Sequence, residues 1–373
     1  MKQSGGANPQ AESLWLIPAA VIVLLLWIAA AIGAQRDGSS ALPLALGYTL
    51  DALRGILLTI AALLGYACVR AIWRRDPRPA RRLLGAAIRN LRTPWLFAGA
   101  IGPLVLFPLL LGAFGTLKVL LPLHVPFMYD TLFARIDRAL FFGVDPWRIS
   151  HALFGSPTAT ILLDRIYTGW LALVPLTTVG FALVARRKDR ARFILAMVLT
   201  WALLGVAGAW AGSSAGPIFL DLLAHPEAGR FAGLMDHLRA ADAQAGPSGL
   251  TALRWRAVLW QAYVDRDLSF GMGISAMPSM HNAITALYLF AAFRLGKWWG
   301  AAAAAYAAII FLGSVHLAWH YMLDGIVSFG GVALIWLAVD RYLRWCGYDR
   351  LVAGAPAIKA PAVPADAGAA RSA

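Results

Sequence analysis

Long apolar runs separated by short, arginine-rich polar segments dominate this chain. Eight runs reach or approach the roughly 20 residues needed to cross a hydrocarbon layer. They cover about 13–34, 53–73, 94–116, 158–185, 193–212, 279–295, 298–318 and 322–345. The pattern predicts an all-α fold: a polytopic membrane helical bundle of about eight transmembrane helices. The sixth and seventh runs are short and closely joined, which suits a tight helical hairpin. Ile32-Gly33-Ala34 resembles a signal-cleavage site. The run before it is too long and its leading segment nearly uncharged, so it reads as an anchor. Between the fifth and sixth runs, Leu250 to Tyr263 carries Trp255, Trp260 and Tyr263, aromatic residues that suit an interfacial helix. A second surface helix is expected within 118–150. The tail from Gly354 is rich in alanine and proline and is expected to be disordered. No internal repeat suggests an inverted-repeat transporter. The expected organisation is two N-terminal helices and a basic loop in 1–93, a six-helix core in 94–350, and a tail in 351–373.

Composition fixes the class. Hydrophobic residues make up 60% of the 373 positions and charged residues only 14%, against about 25% charged in a soluble domain. The net charge of +14 could suggest nucleic acid, but its distribution argues against that partner. Arg70, Arg74, Arg75, Arg78, Arg81, Arg82, Arg89 and Arg92 lie between the second and third runs. Arg186, Arg187, Lys188, Arg190 and Arg192 lie between the fourth and fifth. Arg294 and Lys297 separate the sixth and seventh, and Arg341, Arg344 and Arg350 close the eighth. All fall on one side if both termini are cytoplasmic, as the positive-inside rule requires. The expected location is the inner (cytoplasmic) membrane, with residues 213–277 on the periplasmic or exterior side. Attraction to anionic lipid is secondary. Cys68 and Cys346 form no zinc or disulfide pattern and read as small buried hydrophobes.

The candidate chemistry lies at the outer ends of the last three runs. Pro278-Ser279-Met280-His281 is followed by His316, His320 and Asp324. Ionisable groups at membrane depth are expensive, which makes them functional candidates. Two imidazoles and an orienting carboxylate can break a phosphate ester without a metal. His316, His320 and Asp324 recur every four residues, a spacing that places them on one face of a continuous helix. Asp324 can then fix the His320 tautomer and leave the other ring nitrogen free to attack. Ser279 suits a helix cap, and the free amides there offer an anion site that Ser279 could share. Protonated His281 would donate to the departing oxygen. Arg256 and Arg266 are candidates for offsetting phosphate charge. His316 is either a substrate contact or a headgroup-facing residue. Rival readings are a metal centre on His316 and His320, completed by His281 and Asp324, and a proton-relay transporter. The first lacks the further histidine boxes such centres need. The second calls for polar groups deep in several spans.

Pro-Ser-Met-His followed by His-Tyr-Met-Leu-Asp resembles the type 2 phosphatidic acid phosphatase superfamily, and within it the branch containing inositol phosphorylceramide synthases. The resemblance implies a six-helix core, a phosphohistidine intermediate, no metal and no cofactor. It implies His320 as nucleophile, Asp324 as its partner and His281 as acid and base, acting on a lipid phosphate; the charge pattern puts that chemistry at the outer leaflet. Protein partners are left open. Three features depart from the common family pattern. Met280 stands where glycine is usual. Gly313-Ser314 replaces Ser-Arg before the nucleophile. Ser213 to Pro217 occupies the place of the basic first motif, which leaves the phosphate clamp unidentified. Asp130, the Gly143 to Pro146 stretch, Asp164 and Tyr167 also look like that branch and are read as structural.

Overall fold

The computed structural model describes residues 9–73, 94–269 and 271–353. All regular structure among them is helical. In chain order the helices are α1 (Pro9–Arg36), α2 (Ala41–Trp73), α3 (Pro94–His124), α4 (Asp130–Leu140), α5 (Pro146–Phe154) and α6 (Pro157–Leu183). They continue with α7 (Arg187–Ala211), α8 (Ala228–Gln244), α9 (Thr251–Asp265), α10 (Met280–Leu295), α11 (Lys297–His316), α12 (Met322–Trp345) and α13 (Tyr348–Ala353). Among the described residues seven helices are long and apolar enough to cross a membrane: α1, α2, α3, α6, α7, α11 and α12. The chain is a polytopic integral membrane protein. The expected sixth span, α10, has only 16 residues, about 24 Å at 1.5 Å per residue. It falls short of a hydrocarbon layer of about 30 Å. It forms the expected hairpin with α11 through Gly296.

Local sequence explains the helix starts. Ser156 precedes Pro157, and its Oγ accepts from the Ala159 amide at 3.2 Å. Proline fits a first turn because its missing N–H would have had no partner there. Ser279 caps α10 in the same way. Within α7, residues Trp201–Gly208 form a π-helical stretch. Gly205 and Gly208 in that stretch let Met280 and Pro278 pack against the helix.

The core lies among α3, α6, α7, α10, α11 and α12, with Phe193, Ile194, Ala283, Ile284, Leu287 and Val332 buried. Helices α1 and α2 lean on α3. They leave Leu24, Leu25, Leu57 and Leu58 exposed, as a lipid-facing surface requires. One end of the bundle is tied by ion pairs. Arg187 meets Glu12 at 2.7 Å, Arg192 meets Asp340 at 2.7 Å and Asp349 at 3.0 Å, and Arg294 meets Asp189 at 2.7 Å. These are arginines that the charge pattern assigns to the cytoplasmic loops, here paired with some of the chain's few acids. The Arg74–Arg92 cluster and the tail beyond Ala353 lie outside the described residues. Leu351–Ala353, expected to belong to a disordered tail, close helix α13.

Helices α4, α5, α8 and α9 gather at the opposite end. The expected single surface helix in 118–150 is instead the end of α3 followed by two short helices. The interfacial helix expected near 250–263 is α9. It starts where both Asp164 carboxylate oxygens accept the Thr251 and Ala252 amides at 2.8 and 2.9 Å. Trp255 on α9 is exposed, while the Trp260 and Tyr263 rings pack at 5.5 Å.

Candidate active site

His281 is the second residue of α10, and its ring lies half-buried at the helix start. It stacks on Tyr167 at 4.3 Å between centroids and touches Trp170 at the same distance. Both aromatic residues come from α6, so two packed rings fix the imidazole plane. His320 lies in the turn between α11 and α12, and its centroid is 6.1 Å from that of His281. Asp324, in the first turn of α12, is fully buried. Its Oδ2 lies 3.2 Å from His320 Nδ1 and accepts the Tyr321 amide at 3.1 Å. The carboxylate thus selects the Nδ1–H tautomer and leaves the Nε2 lone pair free.

Two acids hold this turn in place. Asp130 accepts the Ala215 and Gly216 amides, each at 2.9 Å, and the Tyr321 hydroxyl at 2.9 Å. Asp137 accepts the Met322 and Leu323 amides at 2.7 and 2.8 Å, satisfying free donors of α12. Burial pushes the Asp137 carboxyl up to about 7, although its two amide bonds oppose the shift. Burial also pushes the Tyr321 phenol up, with Asp130 adding to it. Gly216 has a φ of +89°, and a Cβ there would lie 2.6 Å from the Trp319 carbonyl oxygen. Only glycine lets the 213–217 loop approach the turn this closely. The segment before α10 is pinned as well: Ala276 N–H donates to the Ser214 carbonyl at 2.9 Å, and Met277 N–H to Ser214 Oγ at 3.2 Å.

The family model of the PAP2 superfamily matches residues 131–339, which contain all of these residues except Asp130. The chain belongs to the PAP2 superfamily. Neither the curated proteins nor the solved structures gave a match. Membership in the PAP2 superfamily supports phosphatase- or phosphotransferase-type chemistry.

The other expected site residues are placed differently. His316, His320 and Asp324 do not share a helix face. Helix α11 ends at His316, Ala318 adopts a positive φ of 67°, and α12 begins only at Met322. His316 therefore turns away from His320 and is fully buried beside His151 and His237. It is not headgroup-facing. Ser279 is buried, and its Oγ accepts the Asn282 amide at 3.4 Å and Asn282 Nδ2 at 3.2 Å. It is engaged as a cap. Arg256 donates to the Ile218 carbonyl at 2.7 Å and to both oxygens of Asp221 at 2.6 and 2.7 Å. Arg266 is exposed at the left-handed C-terminus of α9. Neither arginine makes a contact that ties it to the histidine pair.

The departures from the common PAP2 pattern have local causes. A Cβ on Gly205 would lie 3.2 Å from Met280 Sδ, so the methionine fills space that the π-helical glycine leaves. A Cβ on Gly313 would meet Tyr167 Cδ2 at 3.3 Å; a bare backbone there seats the ring that stacks on His281. Ser314 Oγ accepts from Asn282 Nδ2 at 3.1 Å and joins α11 to α10. The sequence reading missed Lys118. This lysine sits near the end of α3, within electrostatic reach of His281. Its backbone lies against Gly273 in the segment leading to α10. Among the described residues no carboxylate pairs with it. A lone cation in the apolar stretch that continues past residue 116, the end expected for the third run, was the signal available.

Proposed function

We propose that the protein transfers or hydrolyses a lipid-linked phosphate at the outer leaflet through phospho-His320. The observation carrying this reading is the 6.1 Å pairing of the His281 and His320 rings, with Asp324 on His320 Nδ1. A phosphorus atom held about 3–3.5 Å from the attacking nitrogen fits between two rings so spaced. His320 Nε2 attacks phosphorus and a P–N bond forms. The P–O bond to the lipid alcohol breaks, and protonated His281 gives its proton to the departing oxygen. Asp324 offsets the positive charge that develops on His320. In the second half-reaction an acceptor O–H gives its proton to His281, its oxygen attacks phosphorus, and the P–N bond breaks. Lys118 offsets charge on the non-bridging oxygens, the role that the sequence suggests for Arg256 and Arg266.

The acceptor is water in a phosphatase or a lipid hydroxyl in a transferase. Met280 and Gly313-Ser314, together with the loss of a basic first motif, favour the branch that resembles inositol phosphorylceramide synthase. The arginine distribution supports cytoplasmic termini and a site that opens outward. Lipid profiling of a deletion strain complemented with wild type, His320→Ala or His281→Ala tests the reading. Wild type should restore the missing lipid, while both variants insert normally and fail to restore it. Normal restoration by His320→Ala would overturn it.

A further inference from the structure

Away from the His281–His320 pair, three histidines from distant parts of the chain converge: His151 on α5, His237 on α8 and His316 at the end of α11. One ring nitrogen from each lies within 4.8 Å of the other two. The ring centroids are 4.2 Å apart for His151–His237, 4.3 Å for His151–His316 and 5.9 Å for His237–His316. No catalytic role uses them, and the sequence reading expects no metal.

Their hydrogen bonds leave a consistent set of lone pairs. His151 Nε2 lies 3.1 Å from the His316 carbonyl oxygen and must donate to it. Thr160 Oγ1 lies 2.9 Å from both His237 Nε2 and His316 Nε2, and its own proton has the Ser156 carbonyl as acceptor at 3.2 Å. When that proton goes to Ser156, both rings donate to Thr160. Each imidazole is then a neutral Nε2–H tautomer, and each Nδ1 carries a free lone pair. His316 Nδ1 is buried without a hydrogen-bond partner, an arrangement that costs free energy unless something fills it. Ring N–H groups fixed by a backbone carbonyl and a hydroxyl are the usual outer support of metal-ligating histidines.

We propose that His151, His237 and His316 bind a divalent transition-metal ion of the zinc class, with Thr160 as the shared outer support. Three neutral imidazoles suit zinc, which also accepts a fourth ligand such as water. Tetrahedral Zn–N bonds of about 2.0–2.1 Å place ligand nitrogens about 3.3 Å apart. One nitrogen of each ring already lies within 4.8 Å of the other two, and binding requires the rings to close to that spacing on their Nδ1 sides. The ion would clip α5 and α8 to the end of α11, four residues before His320. It would brace the turn that carries the nucleophile without touching the phosphate. The inference is separate from the phosphohistidine reading and can hold where that reading fails.

The test uses the full-length protein in nanodiscs, purified without a histidine tag, equilibrated with zinc chloride and then desalted. Elemental analysis should find about one zinc per chain in wild type and none above background in His237→Ala or His151→Gln. His320→Ala should keep its zinc. Thr160→Val should lower zinc affinity about 10- to 100-fold in competition with a chromophoric chelator. Zinc should raise the unfolding temperature of wild type and leave that of His237→Ala unchanged. A wild type that holds no more zinc than His237→Ala overturns the proposal. Zinc that disappears with His320→Ala, yet stays in His237→Ala, also overturns it by placing the ion at the catalytic pair. If His237→Ala does not fold, His151→Gln and the chelator titration of wild type decide the matter.

Discussion

Replacing Asp324 by asparagine keeps the shape of the site and removes one charge. The amide oxygen can still accept from His320 Nδ1 and the Tyr321 amide, now at 3.2 and 3.1 Å from Oδ2. What disappears is the attraction between a carboxylate and an imidazole that turns positive during attack. At 3.2 Å and an effective dielectric of about 20, that attraction is about 5 kcal/mol. This is an upper bound, since the buried site also desolvates both groups. Loss of charge assistance in the hydrogen bond alone costs about 2 kcal/mol. At 1.36 kcal/mol per decade, kcat should fall by at least about 30-fold and at most about 5,000-fold. KM should change little, because the charge develops after substrate binds. The assay is steady-state turnover of a fluorescent lipid phosphate in nanodiscs, with His320→Ala as the inactive reference and thermal unfolding as the fold control. A variant that folds normally and keeps kcat within twofold of wild type would refute the role given to Asp324.

Lys118→Met should lower kcat/KM about 100-fold, the usual scale for losing one group that stabilises developing charge, with Lys118→Arg recovering part of it; unchanged kinetics would remove Lys118 from the phosphate clamp. Gly216→Ala should cost about 3 kcal/mol, from a positive φ and a forced clash with the Trp319 carbonyl, read as a fall in unfolding temperature. Asp137 sets a pH dependence. Its folded carboxyl titrates at about 7 against an ordinary 3.8, so between pH 4 and 7 the folded state holds a proton that the unfolded chain has lost. That contribution to stability is full below about pH 4 and lost as pH rises through about 7, at most about 4 kcal/mol in all. Unfolding temperature measured from pH 4 to 8 should show a steeper decline in wild type than in Asp137→Asn; parallel curves would contradict the assignment.

Which parts of this arrangement could be read from the chain follows from how local each signal is. The apolar runs predict the long helices because a span is a local property. The proline and serine before His281 likewise predict a capped helix start. The common face for His316, His320 and Asp324 failed because a four-residue spacing says nothing about whether the helix continues. Ala318 in a left-handed conformation breaks it. Asp130 reads as structural from the sequence, but the partners of the acid clamps were illegible for another reason. Asp130 is 85 residues from Ala215, and Asp137 is 185 from Met322; only the fold reveals such partners. Arg256 had the right charge and the side of the membrane expected from the arginine pattern, but Asp221 holds it. Lys118 falls just past the end expected for the third run, and only the continuation of that helix to His124 puts it inside an apolar span. His151 and His237 carried no spacing that linked them to His316.

The central claim is a covalent bond between phosphorus and the ring of His320. Protein mixed with a phosphate-labelled lipid substrate, quenched in alkali and digested should yield a phosphorylated peptide containing His320. Phosphohistidine is stable in alkali and lost in acid, which separates it from a phosphoserine. The label should accumulate in His281→Ala only if departure of the lipid alcohol proceeds without its acid, and it should be absent in His320→Ala. An alkali-stable label that persists in His320→Ala, or turnover by wild type with no label at residue 320 under rapid quench, would contradict the account.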